Sequence, residues 1–123
     1  MVEMALVLPV LALLMVGLVE FSRVLMVQQV ITNAAREGAR AGALYFNDDD
    51  AIEHATNVSQ TYIQASGVDP APAVMNPSIT MTSGIPAFQM QVSYTFNTLL
   101  NGFLPVIPAT LQMSSVATMR REL

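Results

Sequence analysis

Sixteen residues from Met4 to Val19, MALVLPVLALLMVGLV, carry no charged side chain, and after Pro9 no proline occurs until Pro70. With Met1 and Val2, the apolar stretch covers nineteen positions interrupted only by Glu3. As a helix rising about 1.5 Å per residue it is roughly 28 Å long, close to the thickness of a bilayer's hydrocarbon core. It lacks the basic leader and small-residue cleavage site of a secretory signal, so the chain reads as if it begins inside a membrane helix whose leader has been removed. Composition supports an anchor. Charged residues make up 11% of the chain, against about 25% in ordinary soluble domains. The net charge is −4 and the only cations are Arg23, Arg36, Arg40, Arg120 and Arg121, which argues against a nucleic-acid partner, since that needs a basic face. With no cysteine, disulfides and thiolate metal sites are excluded.

Beyond Glu20 the apolar pattern turns amphipathic. Phe21, Val24, Leu25, Gln28, Ile31, Ala35, Gly38 and Gly42 recur at steps of three and four, the spacing of one helical face. The pattern predicts one helix from about residue 2 to 44, far longer than the usual 11 or 12 residues. Pro9 removes a backbone donor and crowds the carbonyl of Ala5, so it is expected to kink or loosen the helix, with Gly17 as a second soft point. Ala34, Gly38 and Gly42 repeat every fourth residue, as do Ala35, Ala39 and Ala43. Such rows let another backbone approach closely, and the first is expected to serve assembly.

Asp50 followed by Glu53 reads as a helix cap with a capping-box partner. A second helix over about 51–65 would place Ile52, Ala55, Val58 or Ser59, and Tyr62 on one face, with Gly67 as its stop. The prolines at 70, 72 and 77 mark a connector from Val68 to Pro77. The period then changes to two. Ile79 and Met81 make a short strand. Phe88, Met90, Val92, Tyr94 and Phe96 alternate with polar residues in a second, and Leu111, Met113, Ala117 and Met119 make a third, with Ser115 in the same phase. The fold class is therefore α+β: a long N-terminal helix, a second helix and a three-stranded antiparallel sheet whose apolar face the helices cover. Residues 1–44 form a transmembrane or filament-core helix and residues 45–123 a small head. The segment from Thr98 to Ala109 is unusually apolar for a loop. Two roles stay open for it: folding back over the core, or contacting a neighbouring subunit through Leu100, Phe103 and Leu104.

Enzyme chemistry finds no constellation. His54 is the one histidine, no G-x-S-x-G elbow or Gly-rich phosphate loop occurs, and the aspartates at 48–50 lack the alternating oxygens and central glycine of a calcium loop. No cofactor is implied. Glu3 stands apart, because a carboxylate in a membrane segment costs roughly 3 kcal/mol and is a functional candidate by default. Arg23, about 30 Å along the same helix, is out of its reach. The amine of Met1 is not, and in a stack of offset parallel helices the amine of one chain can meet Glu3 of the next, neutralising both charges in an apolar core.

Three N-terminal stretches, Val2-Glu3-Met4-Ala5-Leu6-Val7-Leu8-Pro9, Glu20-Phe21-Ser22-Arg23 and Thr32-Asn33-Ala34-Ala35-Arg36-Glu37-Gly38-Ala39-Arg40-Ala41, resemble the tight-adherence TadE-like pilin family. Val92-Ser93-Tyr94-Thr95-Phe96 and Ala117-Thr118-Met119-Arg120-Arg121-Glu122 resemble it more loosely. The resemblance implies a type IV pilin-like signal removed by a prepilin peptidase, and a mature subunit held in the inner membrane by its helix. An assembly platform would then extract it, beside other pilins, into an extracellular filament of copies of itself that serves adhesion. The family's glutamate corresponds to Glu3, which lies nearer the chain start than is usual in type IV pilins. Two alternatives stand beside the filament subunit: a minor pseudopilin that initiates or caps the pilus, and a membrane-anchored periplasmic module that binds a partner.

Overall fold

The computed structural model describes residues 1–121; Glu122, the end of the C-terminal motif, lies outside the described residues. Helix α1 runs from Val2 to Ala43 without a break, through Pro9. Helix α2 spans Asp48–Ala65, followed by strands β1 (Ala73–Thr82), β2 (Ile85–Asn97) and β3 (Thr110–Arg120). The strands form an antiparallel meander in the order β1-β2-β3. The α+β architecture expected from the change of period is the one observed.

Each half of α1 has its own surroundings. Every residue from Met1 to Val19 except half-buried Gly17 is exposed, whereas Val27, Ile31, Ala34, Ala35, Gly38, Ala39, Gly42 and Ala43 are buried. The buried half lies along β2 and β3, and α2 packs beside it and against β1. Val2–Ala43 is thus one continuous helix, but its second half belongs to the core of the head.

The central strand supplies that core. Phe88, Met90, Val92, Tyr94 and Phe96 alternate inward, and all are buried. Full burial of such side chains contributes about 1.5–3 kcal/mol each. Pairing carries the inward row across the sheet: Phe88 lies between Ile79 and Met119, and Tyr94 between Ala73 and Met113. Ser83 (φ 53°) and Gly84 (φ 80°) close the β1–β2 hairpin. Two consecutive positive φ values are what a type I′ turn needs to match the strands' twist.

Three boundaries depart from the sequence expectation. The cap of α2 is Asn47, not Asp50: its side chain accepts a hydrogen bond from the Asp49 amide at 3.2 Å and donates one to Asp50 at 3.2 Å. All three aspartates therefore sit in the first turn, where negative charge complements the helix dipole. Gly67 (φ 85°) does follow the end of α2, as expected, just beyond a cap at Ser66. The buried stripe of α2 is Ala51, Ala55, Ser59 and Ile63, with Ile52 exposed and Val58 and Tyr62 half-buried. Small residues win this face because α2 lies close against α1. Lastly, β1 starts at Ala73, so the second half of the expected connector is strand and Pro77 sits inside it, opposite Met90. Proline is tolerated there because β1 is an edge strand and a missing donor on its open side breaks no ladder.

Candidate functional site

The segment from Met1 to Val19 is a continuous exposed apolar surface. An 18-residue window of α1 has mean hydropathy 2.5, and none of that window is buried by the rest of the chain. An isolated soluble head would not carry such a surface uncovered, since exposed apolar patches of this size mark interaction sites. Glu3 is the one charged side chain on it and is exposed. Among the described residues Glu3 forms no ion pair within the chain.

Pro9 leaves the carbonyl of Ala5 without its usual helical donor. At Gly17 an added Cβ would meet nothing within 4 Å, so no contact inside the chain requires a glycine there. Met1, Glu3, Pro9 and Gly17 all lie on the bare half of α1.

Ala34, Gly38 and Gly42 lie elsewhere, and the expectation that they face another subunit is corrected. The close approach their spacing foretold occurs inside the chain. A Cβ on Gly38 would come 2.1 Å from Ser59 Oγ, and one on Gly42 would come 2.5–2.7 Å from the Phe88 ring. The space left by Gly38 admits the Ser59 hydroxyl, which donates to the Ala34 carbonyl at 2.8 Å with Ser59 fully buried. The row is the seam between α1 and its own head.

Of the two roles open for the segment after β2, folding back over the core of the head is not the one observed. Leu99, Leu100, Phe103, Leu104 and Val106 are not part of the core of the head. The segment turns through a short 3-10 helix, Leu100–Gly102, and descends along the bare half of α1. There Leu100 and Phe103 line a groove with Pro9, Ala12, Leu13 and Val16. Its attachment is Glu20, which the sequence reading passed over. One Glu20 oxygen accepts from the Leu99 amide at 2.7 Å and the other pairs with Arg23 at 3.3 Å. Glu20 is 6% exposed. Arg23 also lies over the Phe96 ring, 5.1 Å from its centroid. The junction between anchor and head is thus built from Glu20, Arg23, Phe96 and Leu99.

A second polar junction ties the far end. The Arg121 guanidinium donates to the carbonyls of Tyr45 and Phe46 and pairs with Asp48 at 2.8 Å. It is 5% exposed and closes the corner between α1 and α2. Nothing in an Arg-Arg pair near a chain end distinguishes the buried arginine from the exposed one. His54 stacks obliquely on Tyr45, ring centroids 4.8 Å apart. Among the described residues no group of three or more metal-binding side chains converges.

A bare apolar helix that continues unbroken into a small α+β head defines a single-helix α+β architecture compatible with membrane anchoring. The family profile described as TadE-like protein matches residues 1–40, so the first part of the chain is similar to that family. The matched stretch takes in the anchor and most of the buried half of α1, and stops before α2 and the sheet. No curated protein and no solved structure matches the chain.

Proposed function

We propose that this protein is a structural, non-enzymatic subunit of a Tad pilus. Its N-terminal helix holds it in the inner membrane until an assembly platform extracts it into an extracellular filament for adhesion. The observation that carries this reading is the bare apolar half of α1 with a lone carboxylate, on a chain whose first 40 residues fit a Tad-pilus family. Lipid covers that surface before assembly, and the same half of neighbouring copies covers it afterwards. The amine of Met1 on one copy neutralises Glu3 on the next, as the removal of two charges from water requires. Processing by a prepilin peptidase precedes insertion, and other pilins accompany the subunit in the filament.

The test is Glu3→Leu. The substitution should leave the protein in the membrane fraction and sharply reduce the filament recovered after shearing and pelleting. Unchanged filament yield would remove Glu3 from the assembly step. The same sheared fraction sets the subunit's place: a filament-forming role makes this chain its bulk component, whereas a priming role leaves it in trace.

A further inference from the structure

The segment between β2 and β3, residues 98–109, contains no charged residue, and its large side chains face outward: Phe103 is 71% exposed and Val106 94%. In water this is an unfavourable surface. Its position supplies the reason. The groove it forms with α1 involves Val16, Leu13, Ala12 and Pro9, which lie four to eleven residues on the N-terminal side of Glu20, about 6–17 Å toward the chain start. If that part of α1 is in lipid, the segment stands at the same depth.

A non-helical segment in lipid must satisfy its backbone without water, and this one does so for six of its ten amides. The amides of Gly102, Phe103, Leu104 and Ile107 donate to carbonyls within the segment, and that of Thr98 donates to Ala109. Leu99 donates to Glu20. Pro105 and Pro108 have no amide proton to satisfy. The Asn101 side chain donates to the Ile107 carbonyl at 2.6 Å, and the Thr98 hydroxyl to the Pro108 carbonyl at 2.6 Å.

We propose that residues 98–109 form a second membrane-seated element, a wedge that enters the interfacial layer of the leaflet nearest the head, with phospholipid as its occupant. This rests on the membrane-anchored reading of α1. The wedge lies at the headgroup–acyl boundary, where apolar faces bury about 5–10 Å deep. It makes the head sit on the bilayer in a fixed orientation, with Glu20 and Arg23 at the waterline.

The chain has no tryptophan, so Phe103→Trp gives a single reporter at the wedge and Met15→Trp one on an exposed part of α1 outside the groove. Each full-length variant is placed in phosphatidylcholine–phosphatidylglycerol vesicles carrying bromine on the acyl chains. The wedge requires blue-shifted Phe103→Trp emission that bromolipid quenches and aqueous iodide does not. If iodide quenches it and bromolipid does not, while Met15→Trp is quenched by bromolipid, the wedge is overturned and the anchor stands. Protection from both quenchers at position 103 would mean a second copy of the chain covers it, which also overturns the proposal. Failure of bromolipid to quench either reporter removes the anchor reading and the wedge with it.

Discussion

Gly42 and Gly17 look alike in the sequence, each a glycine inside a long helix, yet one is fixed by packing and the other is not. Gly42→Ala drives a methyl into the Phe88 ring. Overpacking of this kind costs about 1–3 kcal/mol, so the melting temperature of the head should fall. Gly17→Ala meets nothing and should leave that temperature unchanged in the same measurement. Tyr94 offers a different test. Its hydroxyl donates to the Asp69 carbonyl at 3.1 Å. Burial, and then the charge of Asp69, raise its pKa above the ordinary 10.0, with Arg23 opposing. The raised value stabilises the fold fully below pH 10, and that contribution is lost as pH rises from the unfolded value through the folded one. The chain has no lysine or cysteine, so tyrosine dominates titration in this range. A denaturation series across pH 9–12 should show stability falling above pH 10, and Tyr94→Phe should flatten the fall.

At the scale of elements, what could be read from sequence followed periodicity, and what could not followed contact. The alternation from Phe88 to Phe96 announced β2 because a strand with one buried face must alternate. The length of α1 was legible for the same reason. The start of α2 was not: Asn47 and Asp50 are both good caps, and the choice was made by which one lets three aspartates lie in the first turn. Pro77 hid the first half of β1, since a proline is acceptable in a strand only where it falls on an open edge. The spacing of Ala34, Gly38 and Gly42 promised a close neighbour but not which one, and α2 and β2 of the same chain take that place. Glu20 was illegible as an attachment because its partner, Leu99, is 79 residues away and offers only a backbone amide. Its role is open to test. In detergent-solubilised protein, Glu20→Leu should speed hydrogen exchange at the Leu99 amide, whereas Glu20→Gln, which keeps an acceptor, should slow it back toward the native rate. Equal exchange in all three proteins would mean that Glu20 does not hold the segment.

In the whole molecule, two charged side chains, Glu20 and Arg121, tie distant parts of the chain at opposite ends of the head. Glu20 fastens the β2–β3 segment to the anchor, and Arg121 fastens the end of β3 to the corner between the helices. Arg121→Met leaves two carbonyls without their donor. It should cost about 1–3 kcal/mol, read as a lowered urea midpoint. Little of the loss would come from Asp48, whose side chain is 62% exposed and whose attraction water screens.

The continuity of α1 has a mechanical consequence. No linker separates the bare apolar half of α1 from the head, so a load applied to the head passes straight down the helical rod, with no slack to take up before the N-terminal end is drawn. The rod's rung of hydrogen bonds is incomplete at one place within the apolar half, where Pro9 leaves the Ala5 carbonyl without a helical donor. Under axial tension that is the link with least resistance, and it sits six residues from Glu3. Yielding there would lengthen the tip of the helix and shift Glu3 along the axis, while the seam at Gly38 and Gly42 keeps the head intact.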